Sequence, residues 1–216
     1  MWRTFINWIV KITGFLPWLI IVKPKVYYKD KKIQSKRIKG KGIIVSNHTD
    51  VFDFAMMMFA FWRRNPRCVV AEVMFEKNGF MNWFLKSLGC IRVDRDDNDF
   101  GFIQKCVNVL DKGHVVEIYP EARIPDPGEQ TPLEFKPSTT YIALHSGAPI
   151  IPVYTTGKYF KKGRSKMIVG TPIDVRAMYD ESVSEQENIK SITEFIRKEI
   201  VDLGNELENR KEETKK

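Results

Sequence analysis

The sequence predicts a single α/β domain with a mostly parallel central sheet flanked by helices, preceded by an N-terminal amphipathic helical segment. Two observations carry that prediction. From residue 43 to residue 169, short apolar runs of strand length alternate with segments of helical length and spacing. At 216 residues the chain is long enough for one well-buried domain and too short to expect two.

The elements follow in order. On a helical wheel Arg3, Thr4, Asn7, Lys11 and Gly14 fall within about 100° of one another. Trp2, Phe5, Ile6, Trp8, Ile9, Ile12, Phe15 and Leu16 fill the remaining circumference, and Pro17 is expected to break the pattern before Trp18 to Val22. The apolar stretch from Phe5 to Val22 would measure roughly 27 Å as a helix, against a hydrocarbon core of about 30 Å. Lys11, Gly14 and Pro17 lie inside it, so a helix in the membrane interface is expected rather than a clean span. A helix packed on its own domain is the alternative. Lys23-Pro24-Lys25 follows the apolar run and no small-residue cleavage site does, which disfavours a secretory signal.

Charge supports the interfacial reading. The net charge is +8, yet residues 1–42 hold 11 Lys/Arg against the single acid Asp30, so the remainder is slightly acidic. Positive charge beside an apolar segment suits an anionic bilayer surface, where each Lys or Arg contributes about 1 kcal/mol. The expected seat is the cytoplasmic face of the cell membrane, peripheral or shallowly inserted. The basic segment has no recognised nucleic-acid motif, and no nucleic-acid partner is expected.

Ile43–Ser46, Cys68–Val73, Cys90–Val93, Val115–Tyr119, Ile150–Tyr154 and Met167–Val169 read as strands. Val51–Arg64, Gly79–Leu88, Phe100–Leu110 and Ser138–His145 read as helices, with Gly113 and Gly147 just past two helix ends. Ile189, Ile192, Ile196, Ile200, Leu203 and Leu207 step by three and four, behind a capping box of Ser184 and Glu187. The expected divisions are an interface segment at 1–25, the α/β domain at 26–180, an amphipathic helix at 181–208 and a charged tail at 209–216.

Cys68, Cys90 and Cys106 match no zinc spacing and read as reduced core residues in a cytosolic setting. The run Asp94 to Asp99 has Asp99 where a calcium loop needs glycine and Lys105 where it needs the final glutamate. No metal and no cofactor are expected.

The most informative segment is Ile43 to Asp53. A buried strand delivers His48, and Asp53 follows five places later. On a helix such positions diverge by about 140°. The two act together only if His48 sits in the turn before the helix and Asp53 looks back from its first turn. That arrangement suits a histidine base whose other ring nitrogen is held by a carboxylate. Chance alone would put an Asp five places after some His in roughly one sequence in six of this composition. Asp50 and Asp53 also read as ordinary helix-start acids, Asp50 as the N-cap. The pair therefore needs company.

It has some. Ligands in parallel sheets gather at the carboxyl ends of strands. Asn47-His48 follows the first predicted strand, Asp94-Arg95 the third and Pro120-Glu121-Ala122-Arg123 the fourth. Neither a Gly-x-Ser-x-Gly elbow nor a phosphate loop occurs. A base without a protein nucleophile implies a substrate that brings its own, and guanidiniums beside it suit an anionic group such as phosphate.

Four ordered blocks then make residues 26–175 resemble the lysophosphatidic acid acyltransferase family, the HX4D glycerolipid acyltransferases. They are Asn47 to Asp53, Gly89 to Arg95, Tyr119 to Arg123 and Ala148 to Val153. The resemblance implies direct acyl transfer from an acyl-carrier-protein or acyl-CoA thioester to the hydroxyl of lysophosphatidic acid, giving phosphatidic acid. It implies His48 as general base, Asp53 as its orienter, and Arg95, Glu121 and Arg123 at the substrate phosphate, with the proline block shaping the acyl region. Membrane phospholipid or lysophospholipid and the thioester carrier are the implied partners. Asn47 and Thr49 are expected to support the turn that presents His48.

Two positions depart from the family pattern. Its third block usually reads Glu-Gly-Thr-Arg, whereas here Ala122, Arg123 and Ile124 follow Glu121, so Arg123 comes one residue early. Asp50 stands where a small hydroxyl residue is more usual. These leave open another acceptor, glycerol 3-phosphate or a different lysophospholipid, and a non-catalytic lipid-binding relative. Blander roles are open for single residues too. Arg95 would pair with Asp96 or Asp97, Arg123 would pair with Glu121, and Met56, Met57 and Met58 would pack the core rather than line an acyl tunnel. His114 and His145 read as structural.

Overall fold

The computed structural model describes residues 2–94, 100–160 and 164–213. Its strands are β1 (Lys25–Tyr28), β2 (Gly42–Ser46), β3 (Arg67–Ala71), β4 (Ile91–Val93), β5 (Val115–Ile118), β6 (Ile150–Thr155) and β7 (Lys166–Val169). The helices are α1 (Trp2–Ile21), α2 (Asp53–Ala60), α3 (Glu72–Glu76), α4 (Gly79–Leu88), α5 (Phe100–Asp111), α6 (Ser138–Ser146) and α7 (Glu185–Glu213). The strands form one sheet in the order β1-β7-β6-β2-β5-β3-β4. Neighbours are parallel throughout except β6 and β7, which run antiparallel.

A parallel sheet is covered on both faces, and side chains alternate between them. On one face Ile43, Val45, Val116, Ile118 and Ile150 meet Leu110 of α5, Ile142 of α6 and Ile192, Ile196 and Ile200 of α7. On the other, Ile44, Val115, Ile151 and Val153 meet Met56, Met57 and Phe61 at α2 and Trp18 of α1. Met56 and Met57 are thus core residues. The Ser184–Glu187 capping box forms in both directions, with Glu187 N–H donating to Ser184 Oγ at 3.3 Å and Ser184 N–H to Glu187 Oε2 at 3.1 Å.

The mostly parallel α/β sheet is as predicted, with differences of detail: the helix expected over Val51–Arg64 spans only Asp53–Ala60, and four more follow. β1 is additional: Val26-Tyr27-Tyr28 is short and flanked by lysines, so its sequence signal is faint, yet it pairs along β7 at the sheet edge. The run Cys68–Val73 is strand only to Ala71, and α3 starts at Glu72. α7 continues through Glu213 rather than ending at 208. α1 does not break at Pro17. The backbone donor lost there would have bonded Thr13, and both residues lie on the exposed side. Phe15 and Trp18 pack on Phe59 and Trp62, holding the two halves in line.

α1 is inverted. Asn7 and Lys11 are buried while Phe5, Trp8, Ile9, Ile12, Leu16, Leu19 and Ile20 are exposed. Lys11, 1% exposed, donates its ammonium protons to Trp62 O at 2.8 Å, Asn65 Oδ1 at 2.6 Å and Arg64 O, all just beyond the end of α2. Asn7 Nδ2 donates to Leu88 O at the end of α4. A side chain at Gly14 would come within 3.0 Å of the Phe59 ring, so glycine permits the close crossing of α1 over α2. No helix among the described residues is long and apolar enough to cross a membrane.

Candidate active site

β2 ends at Ser46, and the turn that follows is fixed from both sides. Asn47 Oδ1 accepts from Thr155 N–H at 2.8 Å and its Nδ2 donates to Thr155 O at 2.9 Å, tying the end of β2 to the end of β6. His48 N–H donates to Glu121 Oε1 at 2.7 Å, tying the same turn to the loop after β5. The topology explains the reach: β2 lies between β6 and β5, so both loops flank it.

Asp53 opens α2 and is completely buried. Its Oδ2 accepts from His48 Nδ1 at 2.9 Å, Thr49 N–H at 2.6 Å and Asp50 N–H at 2.9 Å. Its Oδ1 accepts from Thr49 Oγ1 at 2.8 Å and from the Tyr159 hydroxyl. Five donors exceed the roughly four lone-pair directions of a carboxylate, so its orientation is fixed by the protein. Facing a carboxylate, His48 carries its proton on Nδ1, which leaves Nε2 as the basic atom. The side chain is 21% exposed, and among the described residues nothing hydrogen-bonds Nε2. The geometry inferred for His48 and Asp53, turn before helix and first turn looking back, is the one present.

Beneath the imidazole lies a second polar layer. Tyr119 stacks on the His48 ring, centroids 4.5 Å apart and planes 24° from parallel. Its hydroxyl donates to buried Glu117 at 2.5 Å. Burial pushes the Glu117 carboxyl up to about 8, with Asp53 adding to the rise and the Tyr119 hydrogen bond opposing it. Burial and then Glu117 push the Tyr119 phenol well above its ordinary range. Burial and the neighbouring Asp53 raise the Tyr159 phenol as well. Both phenols therefore act as hydrogen-bond donors at neutral pH.

The other predicted site residues are distributed as follows. Thr49 holds Asp53 through both its amide and its hydroxyl. Asp50 is not the N-cap: its Oδ1 accepts from Phe52 N–H at 3.0 Å within the turn. Glu121 is buried, and both its oxygens are engaged by backbone, Oε1 by His48 N–H and Oε2 by Leu133 N–H at 2.8 Å. Burial raises its carboxyl, and those two amides counter the rise. Arg123 is exposed and grips Glu129 through both terminal nitrogens, at 2.6 and 2.7 Å. Its acidic partners are thus Glu129 and, at 3.6 Å, Asp126, not Glu121. Arg95 lies outside the described residues. His114 and His145 stand well away, at the start of β5 and the end of α6.

Sequence reasoning missed Tyr159, Thr155 and Glu117. Tyr159 lies 106 positions from Asp53 in the chain, and only the pairing of β2 with β6 brings it there. Gly157 was missed as well. It has φ +60°, and a side chain on it would come within 2.6 Å of Thr49 Oγ1. Glu117 carried one signal, an acid inside an otherwise apolar strand.

A mostly parallel α/β domain that presents an oriented imidazole at the carboxyl end of a central strand, with no side-chain hydroxyl or thiol among the described residues hydrogen-bonded to that imidazole, has the makings of a transferase acting on an incoming hydroxyl. The comparisons agree. Residues 24–156 match the acyltransferase family model, and the chain belongs to that family. A curated relative, the 1-acyl-sn-glycerol-3-phosphate acyltransferase of Bacillus subtilis, is 28% identical over 137 residues. That stretch is 61% of this chain and 66% of the relative, just under two thirds of its length. The crystal structure of the 1-acyl-sn-glycerophosphate acyltransferase PlsC of Thermotoga maritima superposes with a TM-score of 0.65 at 18% identity. The match covers 93% of this chain and 81% of that one, and at such identity it speaks for the fold.

Proposed function

We propose that this protein moves a fatty acyl group from a thioester, carried by acyl carrier protein or CoA, to the free hydroxyl of lysophosphatidic acid, giving phosphatidic acid. The observation that carries the reading is the partly exposed His48 imidazole, anchored through Nδ1 to a fully buried, five-fold-bonded Asp53, with no hydrogen bond to Nε2 among the described residues. Nε2 takes the hydroxyl proton as the oxygen attacks the thioester carbonyl. The tetrahedral intermediate then expels the thiolate, which receives that proton from the imidazolium. Asp53 stabilises the imidazolium in between and keeps the ring in the useful tautomer. Such base assistance contributes about 10²–10⁴-fold in rate.

The rest of the molecule fits the same task. The exposed apolar face of α1 suits the membrane interface, on the cytoplasmic side where donor thioesters are made. An apolar cavity of about 210 Å³ between α1, α2 and β1, lined by Phe15, Trp18, Met56 and Phe59, is a place for part of an acyl chain. Trp18 packs on Tyr159, whose hydroxyl donates to Asp53, so that cavity adjoins the site. Arg95 is proposed as the phosphate contact. Arg123 would join it by leaving Glu129, whereas Glu121 serves by bracing the His48 turn.

Purified full-length protein in detergent micelles, given a thioester and lysophosphatidic acid, is expected to form phosphatidic acid. His48→Ala should lower the rate by at least about 10²-fold, and Asp53→Asn should lower it as well. Undiminished turnover in His48→Ala would remove the proposed base, and absence of turnover in the native protein with either donor would favour a lipid-binding role. A second acceptor reading, glycerol 3-phosphate or another lysophospholipid, is favoured by Asp50 beside the base and by the engagement of Arg123 with Glu129. Competition among acceptors separates the two.

A further inference from the structure

The amino ends of the strands, opposite His48, hold a cavity that the reaction does not use. It measures about 380 Å³ and lies where β3 and β5 begin. Its lining includes Arg63, Arg64, Arg67, Lys112 and His114, and among the described residues none of those lining it is acidic. One strand length, about 13 Å, separates this end of β5 from the loop that carries Tyr119 and Glu121.

Basic side chains at this end have an ordinary explanation, because the carbonyl ends of α2, α4 and α5 converge here and cations complement them. The magnitudes do not balance. Three helix ends supply about −0.5 charge each, whereas Arg63, Arg64 and Lys112 alone are three permanent cations, leaving a surplus of roughly +1.5. The wall is also built rather than frayed. Arg64 donates to Ile38 O, Gly40 O and Gly113 O, fixing the loops around the cavity with its charge still facing them. Asn7 of α1 closes one side and donates to Leu88 O. The field registers on His114: burial lowers its imidazole, and Arg67, Arg64 and Lys112 lower it further.

We propose that this cavity binds the phosphate group of a ligand distinct from the acyl acceptor at His48, held by Arg63 and Lys112 around the Arg64-braced loops. Two sources offer that chemistry. One is a soluble phosphate compound. The other is a phospholipid headgroup, reached because Asn7 in the cavity wall belongs to the same helix as the exposed apolar residues Phe5, Trp8 and Ile9.

The full chain tests it. Inorganic phosphate is titrated while the His114 imidazole resonance is followed, one of only three histidines to assign. In parallel, the protein is sedimented with vesicles of equal parts phosphatidylglycerol and phosphatidylcholine, and with phosphatidylcholine alone. Arg63→Gln with Lys112→Gln is compared with the native protein and with a charge-matched control, Lys190→Gln with Lys198→Gln on the exposed face of α7. A shift of His114 with phosphate, weakened at least about tenfold in the cavity variant but not in the control, establishes a soluble-phosphate site. The same selective weakening confined to the anionic vesicles establishes a headgroup site. Equal behaviour of cavity variant and control, or no response in either arm, overturns the proposal. Acyl transfer in micelles reads the chemistry at His48 separately and is expected to be unchanged in both variants.

Discussion

α1 and α7 are both amphipathic, and they face opposite ways. α7 turns Ile192, Ile196, Ile200 and Leu203 into the core and leaves its charges outside. α1 turns Asn7, Lys11 and Gly14 towards the domain and leaves Phe5, Ile12, Leu16 and Ile20 outside. A helical wheel states that two faces differ. Which one faces protein depends on what lies on the other side, water or something apolar. The layers beneath the two helices differ in the same sense. The α7 side of the sheet is an aliphatic core, whereas the α1–α2 side holds Lys11, Asp53 and, by strand alternation from Val115, Glu117.

The sharpest way to break this comparison is to cut each helix where it is buried. Ile200 is 0% exposed, and Ile200→Ala should cost about 2–5 kcal/mol in unfolding free energy, measured by urea denaturation in detergent. A loss below about 1 kcal/mol would mean that α7 is an appendage and not a wall of the core.

The polar layer is tested by pH. Glu117 has a folded pKa raised from 4.5 to about 8, chiefly by burial. Between those values the folded protein binds the proton that the unfolded chain has released, so stability falls as pH rises through that window. The slope reaches roughly 1.4 kcal/mol per pH unit. Glu117→Gln keeps an acceptor for Tyr119 and has no proton to lose, so its melting temperature should decline less between pH 5 and pH 8. Parallel curves for the two proteins would place the Glu117 charge at no cost and remove the contrast between the layers.

Lys11 gives a smaller effect of the same kind. Lys11→Met keeps the length of the side chain and strands the acceptors on Trp62, Arg64 and Asn65, for an expected loss of about 1–3 kcal/mol. An unchanged denaturation midpoint would show that α1 is not docked through its polar stripe.

What the residues alone revealed divides along the same line. The sheet, α7 with its capping box, and the His48–Asp53 geometry were legible because each is a local pattern: strand runs, steps of three and four, one turn between strand and helix. The partners of Asp53 and Asn47 were not. Tyr159 and Thr155 reach them through the adjacency of β2 and β6, and no spacing encodes which strands are neighbours. Arg123 shows a third case. Its shift of one residue was visible, but its bidentate partner Glu129 depended on how the proline-rich loop folds back. The inversion of α1 was half legible, since the wheel showed both stripes and the basic segment hinted at a membrane, while the docking of Lys11 beyond α2 is a tertiary fact.

The smallest expected effect on stability is also the most discriminating. Ile12 and Leu16 are 66% and 63% exposed, so replacing both with serine should change the unfolding free energy by no more than about 0.5 kcal/mol. The same substitutions remove two side chains that would each gain about 1.5–3 kcal/mol on entering an apolar phase, so binding to vesicles should fall by at least about tenfold. Sedimentation with vesicles and denaturation in water-soluble detergent measure the two quantities separately. If the double variant instead loses as much stability as Ile200→Ala, the outer face of α1 is covered in the folded state by another protein surface, such as a second copy of the chain. The inverted helix would then be an interface between proteins and not one with lipid.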